Sequence, residues 1–234
     1  MEKKYTTLLF DADNTLLDFD TAEEKALNRV LTEIGVDVTN EVTERYSAIN
    51  LSYWQAFERG EVTKAELRTV RFADLFKEIG FHTDLGLGYI ADTYLSYLGE
   101  GEYLLDGALE LCERLKDEGY TIYIITNGVA ETQKRRLSKS GLDRFLDGLF
   151  VSEKIGSQKP MPAFFEYVFE HISEKDREKL LVIGDSYGSD IKGACGVGLD
   201  CVWLNPKGEP NPLSLPVKKE IGDLRELFDF FELD

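Results

Sequence analysis

"LLFDADNTLLDFD" spans residues 8–20, and its reading decides the fold. The apolar start reads as the end of a buried strand. Asp11 and Asp13 then stand at the mouth of that strand, where like charges repel. Two carboxylates about 4 Å apart repel by roughly 4 kcal/mol at an effective dielectric near 20. A fold that keeps them there needs protons or a cation. Asp-x-Asp-Asn is also sound turn chemistry, because Asp and Asn side chains bond nearby backbone amides. The rest of the chain has to separate the two readings.

Working outward, "YTTLLF" (5–10) is the first expected strand, followed by "TIYIITNG" (121–128), "LFVSEKIG" (149–156), "LLVIGDS" (180–186) and "DCVWLN" (200–205). Most carry continuous apolar runs, as strands buried on both faces do. Helical patterns lie between them at 106–118, 130–140, 162–172 and 190–197. This alternation predicts an α/β fold: a Rossmann-like, doubly wound parallel sheet with helices on both faces.

One interval breaks the rhythm. From Asp18 to Tyr103 no strand is expected, only amphipathic helices at about 20–35, 41–59, 63–79 and 84–98. In "TKAELRTVRFADLFKEIG" (63–80), Leu67, Val70, Phe72, Leu75, Phe76 and Ile79 form an apolar side, Thr63 suits an N-cap and Gly80 a stop. A strand-to-helix connection normally takes a few residues, so about 85 residues here predict a separate helical insertion. The expected division is 1–17 with 104–234 as the core and 18–103 as the insertion.

The 234-residue chain carries a net charge of −17 and has no basic stripe, which argues against a nucleic-acid polymer as partner. Cys112, Cys195 and Cys201 are scattered through the chain and read as reduced. The first apolar run is too short for a signal peptide, and no stretch is long enough for a membrane span. The expected address is cytoplasmic, with no membrane partner, as a monomer or small homo-oligomer.

In open parallel sheets, ligands sit outside the carboxyl ends of the strands. Those ends here carry Asp11, Asp13 and Thr15; then Thr126, Asn127 and Gly128; then Lys159; then Asp185, Ser186 and Asp190. Four loops on one edge supply acids, small donors and one lysine. A hard divalent ion makes such crowding tolerable, and Mg²⁺ suits carboxylates, carbonyls, waters and phosphate oxygens.

The residues "DADNTLL" (11–17), "ITNG" (125–128), "KP" (159–160) and "GDSYGSD" (184–190) together resemble the haloacid dehalogenase superfamily of phosphatases, over essentially the full chain. The insertion resembles that superfamily's type I helical cap. "FDADNTLLDFD", "QKPMPAFFEYVFE" and "GLDCVWLNP" are most similar to its pyrimidine 5′-nucleotidase branch. The resemblance implies a Mg²⁺-dependent phosphomonoester hydrolase acting on small phosphorylated metabolites, nucleoside 5′-monophosphates first. It implies Asp11 as nucleophile, Asp13 as acid and base, Thr126 and Asn127 on phosphate oxygens, and Lys159 neutralising charge. Asp11, Asp185 and the Asp13 backbone carbonyl would hold the metal.

Other assignments stay open in the sequence. Asp190 either orients the site from behind or is an ordinary helix-start aspartate. Ser186 is a metal-water contact or a turn residue. On the cap, Tyr53, Trp54, Arg68 and Arg71 are candidate substrate readers; the aromatics equally suit packing and the arginines solvent. Dehalogenases on this scaffold lack an aspartate at the position of Asp13, and similar sugar phosphomutases carry Glu where Gly184 stands; both departures favour a phosphatase. Phosphoglycolate or sugar-phosphate hydrolysis is the alternative. A phosphoacceptor signalling module fits less well, being shorter, without an insertion, and with its lysine after its last acids.

Overall fold

Five expected strands form and pair in parallel in the computed structural model, which describes residues 3–233. They are β1 (Thr7–Phe10), β2 (Thr121–Thr126), β3 (Gly148–Val151), β4 (Leu180–Gly184) and β5 (Asp200–Leu204). A sixth strand, β6 (Lys219–Ile221), extends the sheet, whose order is β3-β2-β1-β4-β5-β6. β6 has no apolar run to announce it. It forms because its backbone pairs with β5 and its Ile221 is buried.

The helices are α1 (Phe19–Glu33), α2 (Asn40–Glu58), α3 (Lys64–Ile79), α4 (Leu87–Leu98), α5 (Ala108–Asp117), α6 (Ala130–Lys139), α7 (Ser152–Ile155), α8 (Pro162–His171), α9 (Lys192–Gly196) and α10 (Glu226–Phe231). The helix expected over 190–197 is instead a π-type turn, Tyr187–Ile191, running into α9.

Strand residues alternate between two cores because successive side chains point to opposite faces. Leu8, Phe10, Ile122, Ile124, Leu181, Ile183, Val202 and Leu204 meet Leu111, Cys112 and Leu115 of α5 and Leu227 of α10. Leu9, Ile125, Val182, Cys201 and Trp203 meet Phe164, Phe165 and Val168 of α8. Both faces are therefore dry, which explains the continuous apolar runs. The order reverses at β1, whose neighbours are β2 and β4. At such a switch point the adjacent connections leave in opposite directions and open a crevice at the carboxyl ends. Asp11 and Asp185 follow β1 and β4 directly.

Residues 20–101 form a compact unit of their own; residues up to 19 and from 102 onward form the other. Within the sheet unit the outgoing and returning chains pair: Asp18 N–H donates to the Tyr103 carbonyl and Leu105 N–H to that of Leu16, each at 3.0 Å. In the helical unit, α3 starts on a capping box between Thr63 and Glu66 and stops at Gly80 in the left-handed region (φ 66°). Leu67, Phe72, Leu75 and Phe76 are buried as expected, while Val70 and Ile79 are half-buried.

The core of that unit corrects one expectation. Arg71 is not solvated: it is 2% exposed, its guanidinium lies 4.8 Å from the Tyr94 ring centre, and it donates to Asn50 Oδ1 at 2.7 Å. A planar, weakly hydrated cation can be covered by Tyr46, Phe72 and Tyr94 where an ammonium could not. Arg68 pairs with Asp92, Tyr53 donates to Asp74, and half-buried Trp54 meets Phe57 edge-on at 5.8 Å.

Beside Arg71, Glu23 accepts from Ser47 Oγ at 3.0 Å and from Asn50 Nδ2. Burial pushes its carboxyl up from the ordinary 4.5 to about 7. A folded-state value above the unfolded one means the native state holds the proton longer. The resulting stability is complete below about 4.5 and is lost as pH rises through about 7. Glu23→Gln cannot ionise, so between pH 5 and pH 9 its thermal midpoint is expected to fall less than that of the wild type. Parallel pH curves in a thermal-unfolding series would contradict this assignment.

All described cysteines are free, although Cys195 and Cys201 approach to 3.8 Å between sulfurs. Among the described residues, no helix is long and apolar enough to cross a membrane.

Candidate active site

The turn after β1 is built by Asn14, which adopts φ 56° and accepts from Phe19 N–H at 3.0 Å. Asn tolerates this left-handed conformation because its short amide bonds locally. The turn chemistry seen in the sequence is thus real, but it belongs to Asn14. Asp11 N–H donates to the Ile183 carbonyl at 2.9 Å, which fixes Asp11 against the end of β4.

Oxygens of Asp11, Asp185 and Asp190 all lie within 4.8 Å of one another. Asp11 is buried, and burial first, then Asp190 and Asp13 against the pull of Lys159, pushes its carboxyl up to about 7. Burial, with Asp11 and Asp190 beside it, pushes Asp185 well above the usual range too. Its backbone N–H donates to the Thr15 hydroxyl at 3.1 Å, and its carbonyl accepts from the Trp203 indole at 2.9 Å. This loop is therefore fixed from both sides.

Lys159 is 1% exposed and uses all three ammonium protons: on Asp11 Oδ1 at 2.6 Å, Asp190 Oδ1 at 2.6 Å and the Ile125 carbonyl at 2.7 Å. Burial opposes its charge, but the two carboxylates outweigh that and keep it protonated above the ordinary lysine range. Asn127 holds the lysine's backbone from both ends, accepting from Lys159 N–H at 3.0 Å and donating to its carbonyl at 2.9 Å. Asp190 is fully buried; its second oxygen accepts from Ser186 N–H at 3.1 Å. With both oxygens engaged, Asp190 anchors Lys159 and the loop, which leaves Asp11 and Asp185 to face a cation. Gly184 is required here: a Cβ on it would sit 2.4 Å from the Asp190 carboxylate.

Thr126 Oγ1 accepts from Gly128 N–H and from Gln133 Nε2, each at 3.0 Å. With both lone pairs used, its own proton is left to donate to a ligand oxygen. Asp13 is held by two residues absent from the sequence reading. Gln133 Nε2 donates to Asp13 Oδ2 at 2.7 Å, and the buried Arg136 guanidinium forms an ion pair with Oδ1. Both sit on one face of α6, three residues apart. In "ETQKRRLSK" they look like part of an ordinary cationic helix, and i, i+3 spacing is the signal that links them.

Three clustered carboxylates, those of Asp11 and Asp190 buried and that of Asp185 half-buried, against one ammonium leave negative charge unbalanced in the crevice. The donors are all hard oxygens, as a divalent ion such as Mg²⁺ prefers over softer metals. The set is equipped to neutralise an anion, present a carboxylate to it and move a proton two residues away.

The sequence model for haloacid dehalogenase-like hydrolases matches residues 5–198. The chain is 42% identical over 232 residues to the Bacillus subtilis (strain 168) protein YfnB, covering 99% of this chain and 97% of that one. It is 36% identical to pyrimidine 5′-nucleotidase PynA of Streptococcus pneumoniae (strain ATCC BAA-255 / R6), covering 96% and 94%. Pyrimidine 5′-nucleotidase YjjG of Escherichia coli (strain K12) is 30% identical over 96% of each chain. The crystal structure of Bacillus subtilis YfnB bound to magnesium superposes with a TM-score of 0.92 at 41% identity, over 99% of this chain and 100% of that one.

Proposed function

From the premise that this chain belongs to the haloacid dehalogenase-like hydrolases, we propose that it is a Mg²⁺-dependent phosphomonoesterase acting through an aspartyl-phosphate on Asp11. The observation that carries this reading is the meeting of Asp11, Asp185 and Asp190 within 4.8 Å, with Lys159 bonded to Asp11. Residues 18–103 take the part of the cap, and 1–17 with 104–234 that of the catalytic core.

In the first half-reaction an Asp11 oxygen bonds to phosphorus while the bond to the leaving oxygen breaks. Asp13 gives that oxygen its proton. In the second half, water attacks phosphorus, Asp13 takes the water's proton, and the bond to Asp11 breaks, releasing phosphate. Lys159 holds Asp11 in place and offsets charge as the phosphoryl group arrives. The Thr126 hydroxyl and the Asn127 backbone are the donors proposed for phosphoryl oxygens. Asp11, Asp185 and the Asp13 carbonyl would hold Mg²⁺, which would supply the screening that lets two anions meet.

The substrate class proposed is nucleoside 5′-monophosphates, pyrimidine first. Support comes from two relatives named as pyrimidine 5′-nucleotidases at 36% and 30% identity over nearly the whole chain. Trp54 is the aromatic proposed to stack on the base; Arg71 is engaged inside the helical unit with Asn50. Phosphate release from UMP, dUMP, dTMP, phosphoglycolate and hexose phosphates tests the assignment, with Mg²⁺ and with EDTA. Pyrimidine nucleotides are expected to be cleaved fastest, and EDTA to stop all turnover. Faster cleavage of sugar phosphates or phosphoglycolate would remove the nucleotidase half; EDTA-resistant turnover would remove the metal.

A further inference from the structure

We propose that Gln133 and Arg136 are a positioning pair that aims the Asp13 carboxyl group for proton transfer. The proposal rests on the phosphomonoesterase reading above and adds residues to it. Both Asp13 oxygens are engaged by α6: Oδ2 by the Gln133 amide at 2.7 Å and Oδ1 by the Arg136 guanidinium. Two donors on two oxygens fix both the position and the plane of a short side chain. An acid that must meet a leaving oxygen needs such definition, since small displacements cost rate steeply.

The pair is itself held rigidly. Gln133 Nε2 uses its second proton on Thr126 Oγ1 at 3.0 Å, so one amide sets the proton donor and a phosphate-loop hydroxyl together. Gln133 Oε1 accepts from Arg136 Nη1 at 3.3 Å, and the Phe19 ring lies 5.6 Å from the guanidinium carbon. Gly128 makes room for this arrangement, because a Cβ there would approach Gln133 Nε2 to 2.6 Å. The Arg136 side chain is fully buried, and its Nε and Nη2 have no partner among the described residues.

A buried guanidinium built only to hold the fold would have its nitrogens satisfied by surrounding carbonyls. Here the charge is matched by Asp13, whose side chain is 28% exposed and so open to the crevice. Arg136 thus holds the Asp13 carboxyl group in one orientation toward the leaving oxygen, which takes its proton as the bond to phosphorus breaks. It presents the same carboxylate to the water whose proton Asp13 then takes.

The test compares two esters in Gln133→Leu, Arg136→Met and Arg136→Lys, using UMP and p-nitrophenyl phosphate with Mg²⁺. A nucleoside alkoxide must be protonated as it leaves; a nitrophenolate need not. For Gln133→Leu and Arg136→Met, the single-turnover rate of leaving-group release, which precedes breakdown of the shared aspartyl-phosphate, is expected to fall about 100-fold with UMP and less than about fivefold with p-nitrophenyl phosphate. Arg136→Lys should recover part of the UMP rate. Equal losses on both esters, or no loss on UMP, would overturn the positioning role. Gln133→Leu decides the matter alone if Arg136→Met does not fold. Wild-type protein inactive on both esters would instead overturn the phosphomonoesterase reading, and this inference with it.

Discussion

Asp11→Asn is expected to lower phosphate release by at least about four orders of magnitude, the scale seen when a covalent nucleophile is removed. The amide oxygen cannot form the phosphoryl bond that every later step requires. The fold is expected to survive. Asn has nearly the shape of Asp, can accept from Lys159 Nζ, and leaves that ammonium its bonds to Asp190 and the Ile125 carbonyl. The substitution also removes a carboxyl that burial holds at about 7. Because that value lies above the ordinary 3.8, the stability Asp11 contributes to the metal-free protein is lost as pH rises through about 7. At pH 8 without metal, the variant is therefore expected to melt no lower than the wild type. Activity within tenfold of wild type, in a variant with an unchanged thermal midpoint, would remove Asp11 as nucleophile.

Lys159→Met carries the largest expected cost to stability, about 3–5 kcal/mol at pH 8, because it strands buried carboxylates that had a partner. The ammonium is 1% exposed and holds Asp11 and Asp190 at 2.6 Å each. Methionine fills much of the volume but neutralises nothing. Turnover should fall about 100-fold or more, as when a preorganised charge-stabilising donor is lost. The stability loss should shrink toward pH 5, where the stranded carboxylates can take up protons. Denaturant titrations at pH 5 and pH 8 measure this directly. A loss below about 1 kcal/mol at both pH values, the range of an exposed ion pair, would show that the lysine does not hold the carboxylates together.

The sequence made Asp11 and Asp185 legible because each follows a buried apolar run, and strand ends of a parallel sheet share one edge. Thr126 and Lys159 were legible as further chemistry on that edge. Arg136 was not. It lies 123 residues from Asp13, on a helix whose basic residues look solvated. Arg71 misled for the same reason in reverse: an arginine on an amphipathic helix reads as surface, while the rings of Tyr46, Phe72 and Tyr94 enclose it. β6 escaped because three residues held by backbone pairing carry no periodic signal.

What the chain by itself determined is the alternation of β1 to β5 with helices, the run of four helices between β1 and β2, and which loops gather at the carboxyl edge. Those follow from local rules: apolar run length, turn residues, and the capping box at Thr63. What only the tertiary structure decided is which charge faces which. Lys159 reaches Asp11 across 148 residues, Gln133 reaches Asp13 across 120, and Gly184 is glycine because Asp190 fills its space. Such pairings are set where burial removes water and each polar atom must find a partner in three dimensions, a condition no local stretch of sequence records.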